Sequence, residues 1–205
     1  MKEYTVKKVL SPMTLEDERW EKVTAAPFVE GWEEQFERKY DTSVKLVYSD
    51  EGLYLRFDTT EWPVRVCITK YNDEVCLDSC MEFFFTPNLT DKEYFNLEVN
   101  AGAVTHLGYG EGRHGRKKTL TADAGIEAKT QIRSGEGWSL FEFIPFAFLE
   151  KNFSSVEKVM RANFYKCGDE TAYEHYDTWN KVVSKVPDYH RPECFGRLVL
   201  GEETV

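Results

Sequence analysis

The sequence has no apolar run approaching the ~20 residues of a membrane-spanning helix. Its first residues, Met1-Lys2-Glu3-Tyr4-Thr5-Val6-Lys7-Lys8, lack the apolar centre of a secretory leader. No membrane partner is expected. An excess of basic charge is missing too: 26 Lys and Arg stand against 36 Asp and Glu, a formal net charge of -10. Phosphate binding depends on a basic field, so no nucleic-acid partner is expected either. The one basic run, Arg113-His114-Gly115-Arg116-Lys117-Lys118, has no interleaved aromatic and reads as a solvated loop. The five cysteines are odd in number and irregular in spacing, which excludes a disulfide framework and a paired zinc knuckle. Reduced, mostly buried thiols and a cytoplasmic location are the expectation. Repeats, low-complexity stretches and Pro/Gly/Ser linkers are absent, so residues 1–205 are expected to form one domain. There is no P-loop, no G-x-S-x-G elbow and no H-E-x-x-H. Gly110 to Gly115 spells G-x-G-x-x-G, but no helical period follows it, as a dinucleotide site would require.

Aromatic residues are plentiful at 15%, which favours strands and offers ring faces on which a sugar could stack. Period-2 alternation recurs. Val44, Leu46 and Tyr48, a Gly52 turn, then Leu53, Leu55 and Phe57 predict a hairpin. Ile126 to Ile132, a Gly135–Gly137 turn, and Trp138 to Ile144 predict another. Val64, Val66 and Ile68 predict a further strand, as do Met81 to Phe85, Met160 to Tyr165 and Arg197 to Leu200. Tyr94 to Val99 and Ala103 to Leu107 form either one bent strand or a hairpin. Short helices are expected only near Leu15–Trp20 and Phe146–Phe153. Many short strands with turns between them indicate an all-β fold, a sandwich or barrel.

Some polar residues interrupt apolar strands. Glu82 sits in Met81-Glu82-Phe83-Phe84-Phe85, and period 2 puts Asn96, Glu98 and Asn100 on one face with Leu97 and Val99 toward the core. On pattern alone they face water on the outer side of a half-buried sheet. The alternative is a sheet face presenting carboxylates and amides to sugar hydroxyls. The four histidines, His106, His114, His175 and His190, are scattered and read as partly exposed polar residues. No metal ligands are identifiable.

Several blocks carry a resemblance. Asp78-Ser79-Cys80-Met81-Glu82-Phe83-Phe84-Phe85 resembles the "D-S-x-E-hydrophobic" strand of family 9 carbohydrate-binding modules. Tyr94 to Gly102 is similar to their "aromatic…x-V-N…G" strand, and Leu46 to Phe57 to their "V-x-L-x-Y-D-x-x-x-L-Y-L" hairpin. Pro187 to Leu198 is similar to their "aromatic-x-x-P-x-x-F-G-x-L" end. The chain looks closest to a variant, family 9-like branch. The resemblance implies a two-sheet antiparallel β-sandwich of the DOMON-like, immunoglobulin-like or jelly-roll kind with one or two short helices. It implies binding of a mono- or oligosaccharide between aromatic rings, in carbohydrate catabolism. By the same resemblance Tyr189 matches one of two clamp aromatics, Glu82 the family's carboxylate and Asn100 its amide. Tyr165 falls near a binding Gln, and Glu98 stands where relatives carry Arg, which suits another hydroxyl pattern or a cationic sugar. The second clamp Trp falls near Val75-Cys76, with Trp62 or Tyr71 as candidate substitutes. Structural calcium is implied by the resemblance, and no other cofactor. No catalytic residues are expected. The competing readings are a glycoside hydrolase using Glu82 and Glu98, an interaction domain with a decayed sugar site, and a haem-binding DOMON-like domain using Met81 or Met160 with a histidine.

Overall fold

In the computed structural model, which describes residues 1–32, 34–37 and 40–205, the alternating segments pair into one continuous, curled sheet. Its first strands are β1 (Glu3–Lys8), β2 (Ala26–Pro27), β3 (Glu30–Gly31), β4 (Thr42–Tyr48) and β5 (Gly52–Thr59). Next come β6 (Cys80–Thr86), β7 (Tyr94–Asn100), β8 (Thr105–Gly110), β9 (Lys117–Lys118), β10 (Glu127–Arg133) and β11 (Gly137–Pro145). The last are β12 (Val159–Cys167), β13 (Tyr176–Thr178) and β14 (Gly196–Thr204). The order is β10-β11-β5-β4-β1-β14-β12-β6-β7-β8-β9. The β10-β11-β5-β4 half and the β12-β6-β7-β8 half face each other as a sandwich. Every pairing is antiparallel except those of β1, which runs parallel to both β14 and β4 and joins the two halves. No helix among the described residues is long and apolar enough to cross a membrane.

Both predicted hairpins form, β4–β5 and β10–β11, and β7–β8 settles as a hairpin rather than a bent strand. Gly137 is required where β11 begins: its φ is 125°, and a Cβ there would lie 1.9 Å from the Thr59 carbonyl oxygen. Among the described residues, helix is confined to a 3-10 turn at Glu18–Lys22, two further short 3-10 turns, and the α-helices Thr121–Ala124 and Phe146–Asn152.

The core between the halves takes the inward residues of each strand. Leu46, Leu55 and Phe57 meet Met81, Phe83, Phe85, Leu97 and Phe164 there. Phe83 stacks on Phe85 at 4.3 Å and on Phe164 at 5.0 Å. Burial of such a ring stabilises by about 1.5–3 kcal/mol. Met81 and Met160 lie in this core, packed among hydrophobic side chains. One charged residue breaks the stripe. Glu142 faces inward with Trp138, Leu140 and Ile144, opposite Leu55 and Ala128, wholly buried and with neither carboxyl oxygen hydrogen-bonded. Desolvation pushes its pKa up to about 8.

Two expectations need correction. Val64, Val66 and Ile68 form no strand, because the N–H groups of their loop have another acceptor. The buried Asp78 carboxylate accepts from the backbone N–H of Cys67 and Ile68, at 2.9 and 2.8 Å, and is paired with Arg65. The polar face of β7 does not face water. A second apolar cluster, with Trp32, Phe84, Tyr94, Tyr165, Tyr189 and Phe195, covers that side of β6, β7 and β12. Likewise residues 9–23 cover the outer face of β4, β5 and β11 through Val9, Met13 and Trp20. Of the cysteines, Cys80 and Cys167 are buried, Cys76 and Cys194 partly buried, and Cys67 exposed; all five are free thiols.

Candidate functional site

The outer faces of β6, β7 and β12 carry Cys80, Glu82, Phe84, Asn96, Glu98, Tyr165 and Cys167, as period 2 dictates. Phe36 and the segments at residues 168–176 and 187–190 rise over this surface and leave a cleft of about 250 Å³. Its floor is Glu82, Phe84, Glu98, Cys76 and Cys167. One side is Phe36, Tyr176, Asp169 and Glu174, and the other is Pro187, Asp188, Tyr189 and His190, with Arg113 at the rim.

Tyr189 is held rigidly. One face of its ring stacks on Tyr165 at 4.0 Å and 9°, and Trp32 packs against it at 5.9 Å. Its hydroxyl donates to the Lys166 carbonyl at 3.1 Å, while the Tyr165 hydroxyl donates to the Tyr189 carbonyl at 3.2 Å. Tyr165 is therefore a backing ring rather than a wall. Phe36 and Tyr176 pack edge-to-face at 4.8 Å and are only partly buried, so they keep ring surface open to the cleft.

The charge is mostly negative. Five carboxyl groups (Glu82, Glu98, Asp169, Glu174 and Asp188) line the cleft against one guanidinium, Arg113, which pairs with Asp188 at 3.2 Å. Glu82 and Glu98 are directly opposed on β6 and β7. Burial, and then the Glu98 charge, push the Glu82 carboxyl well above its ordinary range, against a hydrogen bond from the Cys167 thiol at 3.0 Å. Asn96 donates to Glu98 at 2.8 Å, and Arg116 donates to Asn96 at 2.7 Å. Burial raises Asp169 to about 6. His190 is pushed down to about 3 by burial and by Arg116 and Arg113, so it is neutral, with Nδ1 2.7 Å from the Tyr94 hydroxyl.

A buried polar network supports the floor from the core side. The Lys166 ammonium pairs with Glu61 at 2.8 Å and donates to the Cys167 carbonyl and to His175 Nε2, at 2.8 and 2.7 Å. Trp138 and Ser79 donate to the same Glu61 carboxylate, each at 2.8 Å. Burial alone would raise Glu61, but Lys166, with His175, Trp138 and their hydrogen bonds, holds it below the ordinary range. Burial, with the ammonium beside it, pushes His175 down to about 3. The neutral ring donates Nδ1–H to the Tyr173 carbonyl at 2.7 Å and accepts at Nε2.

The structure brings Tyr189, Glu82 and Glu98 together in the cleft and places the other expected residues elsewhere. Asn100 is fully buried and committed: its amide donates to Asp78 and to the Ile68 carbonyl, and its oxygen accepts from the N–H of Gly102 and Val104. It fastens a loop. Trp62, 41% exposed, and Tyr71 lie on the surface outside the cleft. The place of the second clamp aromatic does line the cleft, with Cys76 in it. The basic run is not only a solvated loop, since Arg116 lies 4.1 Å from the Tyr94 ring centroid and Arg113 reaches the rim. His190 is half-buried, as expected, while His175 is buried rather than partly exposed. Phe36, Asp169, Glu174 and Tyr176 went unsuspected, although Glu174-His175-Tyr176 is a dense polar-aromatic cluster. Cys167 shares the face of Tyr165 by period 2 and could have been found that way.

Cys80, Glu82 and Cys167 are the one tight group of metal-ligating side chains among the described residues, their ligand atoms all within 4.8 Å of one another. Calcium takes six to eight oxygens. Two sulfurs and one carboxylate do not fit it.

The family model described as carbohydrate-binding family 9 matches residues 11–200. None of the curated proteins matches the sequence. Among solved structures, a proposed carbohydrate-binding protein from Bacteroides uniformis is 24% identical, with 98% of this chain and 99% of that one covered and a TM-score of 0.83. A family 9 module from Caldicellulosiruptor kristjanssonii, solved with cellotriose, is 13% identical over 99% of this chain and 95% of its own, at a TM-score of 0.70. The same organism's module solved with glucose gives the same identity and TM-score over 97% of its length.

Proposed function

Because the chain belongs to carbohydrate-binding family 9, we propose that its cleft binds a monosaccharide or the end of an oligosaccharide, as a non-catalytic step in carbohydrate breakdown. The observation that carries this is the pairing of open ring surface with carboxylates in one cleft: Phe36 and Tyr176, with Tyr189 behind them, beside Glu82, Glu98 and Asp169. A pyranose presents apolar C–H faces to rings and hydroxyl edges to acceptors. The cleft lies below the ~300–1,000 Å³ of drug-sized pockets, which suits a short ligand. Glucose and cellotriose, held by the Caldicellulosiruptor module, are the first ligands to try. The negative lining favours neutral or amine-bearing sugars over acidic ones. Free thiols suit a reducing compartment, so we place the protein in the cytoplasm.

A glycan array followed by calorimetry tests the reading. Tyr176→Ala and Glu98→Gln should each weaken the best ligand at least tenfold while leaving the melting temperature within a few degrees. No binding to any sugar, or binding indifferent to both changes, would sink it. The hydrolase reading has one observation in its favour, the raised Glu82 carboxyl beside Glu98. Against it, the two rise side by side from adjacent strands of one floor, whereas glycosidase carboxyls flank the scissile bond. Turnover of an aryl glycoside that Glu82→Gln abolishes would reverse the ranking.

A further inference from the structure

Cys80 and Cys167 are direct cross-strand partners on β6 and β12, and Glu82 lies two residues beyond Cys80 on the same face. The three side chains are buried, yet Glu82 and Cys167 line the cleft, so the group has an entry path. We propose that Cys80, Glu82 and Cys167 form a site for a thiophilic divalent cation, zinc foremost, on the cleft floor, with its remaining coordination position open to the cleft. Thiolate sulfur selects zinc over calcium or magnesium, and three protein ligands with the fourth position open to water or ligand is a pattern zinc adopts. The surroundings favour a cation. Glu98 stands opposite Glu82, and the nearby Lys166 ammonium is already engaged by Glu61, His175 and the Cys167 carbonyl.

Metal uptake must displace protons from these side chains. Burial raises Cys80 to about 12; a hydrogen bond with Cys80, and then burial, raise Cys167. Without metal, two thiols and the Glu82 carboxyl share the space. The entering cation displaces both thiol protons, and the Glu82 proton where present, to solvent. The inference stands apart from the sugar reading, since metal uptake is measured without any sugar.

The test titrates the reduced, metal-stripped full chain with Co²⁺ in the absence of oxygen. Expected are a thiolate-to-cobalt charge-transfer band and tetrahedral visible bands that saturate at one equivalent, and that Zn²⁺ abolishes. Glu82→Gln should weaken cobalt at least tenfold, the Cys80→Ser/Cys167→Ser double variant should lose the charge-transfer band, and Cys67→Ser should change neither. Should the double variant not fold, alkylation of the wild type mapped by mass spectrometry decides, with Zn²⁺ expected to protect Cys80 and Cys167 specifically. Absence of the band, its survival in a folded double variant, or a lack of zinc protection would each overturn the site.

Discussion

Replacing Glu142 with methionine should stabilise the protein, and by an amount that depends on pH. The carboxyl is wholly buried, bonded to nothing, and raised from an ordinary 4.5 to about 8 by desolvation alone. Between those values the folded chain holds a proton that the unfolded chain has released, so stability falls as pH rises. Neutral pH lies about 2.5 units above the ordinary value; at ~1.4 kcal/mol per unit, this linkage costs about 3 kcal/mol at pH 7. Nearly all of the cost is absent below pH 4.5, and it reaches its plateau, about 5 kcal/mol, above pH 8. Methionine has a similar length and no polar oxygen. At pH 7 Glu142→Met should raise the melting temperature by roughly 6–12 °C, given about 2–4 °C per kcal/mol for a chain of this size. Glu142→Gln should remove the pH dependence but keep an unpaired amide, and so gain less. Urea melts of all three proteins at half-unit steps from pH 5 to 8 read the effect as a difference, which cancels other titrating groups such as Asp169. A difference between wild type and Glu142→Met that stays flat across that range would refute the reasoning.

Two further perturbations probe the supports of the site. Asn100→Ala strands the N–H groups of Gly102 and Val104 and removes a donor from Asp78, so denaturant melts should show a loss of about 3–5 kcal/mol. The best sugar ligand should keep its affinity for the fraction that remains folded. Lys166→Met leaves the Glu61 carboxylate buried without its counter-charge, which should cost about 3–5 kcal/mol by the same assay, and Lys166→Met/Glu61→Leu should recover most of that loss.

Where alternation and a turn residue coincided, the sequence was enough. Leu46 to Phe57 and Ile126 to Ile144 are hairpins because a one-residue slip would turn their apolar sets outward. Val64, Val66 and Ile68 alternate as well, but a strand needs a neighbouring edge, and the pattern does not reveal that Asp78 takes the loop's N–H groups instead. The first strand, β1, went unread although Tyr4 and Val6 alternate with polar residues, because its partners lie far away along the chain in β14 and β4. In the cleft, the placement of Glu82 and Glu98 followed from period 2 within strands. Phe36, Asp169, Glu174 and Tyr176 did not, since loop packing has no period to read. Asn100 was read as an amide facing water or a sugar, not as a buried fastener, because its partners Asp78 and Ile68 stand 22 and 32 residues away along the chain.

The parallel pairing of the first and last strands bears on how the protein carries a mechanical load. Glu3 lies beside Arg197 and Lys8 beside Thr204, so β1 starts at one end of the shared ladder and β14 finishes at the other. Tension drawn through Met1 and Val205 pulls these strands along their length in opposite directions. The ladder is then loaded in shear, and its hydrogen bonds must yield together rather than one at a time from an end. Because β1 also joins the two halves of the sandwich, slippage there would part the fold along its middle, and the resistance of this one short strand sets the force at which the whole sheet gives way.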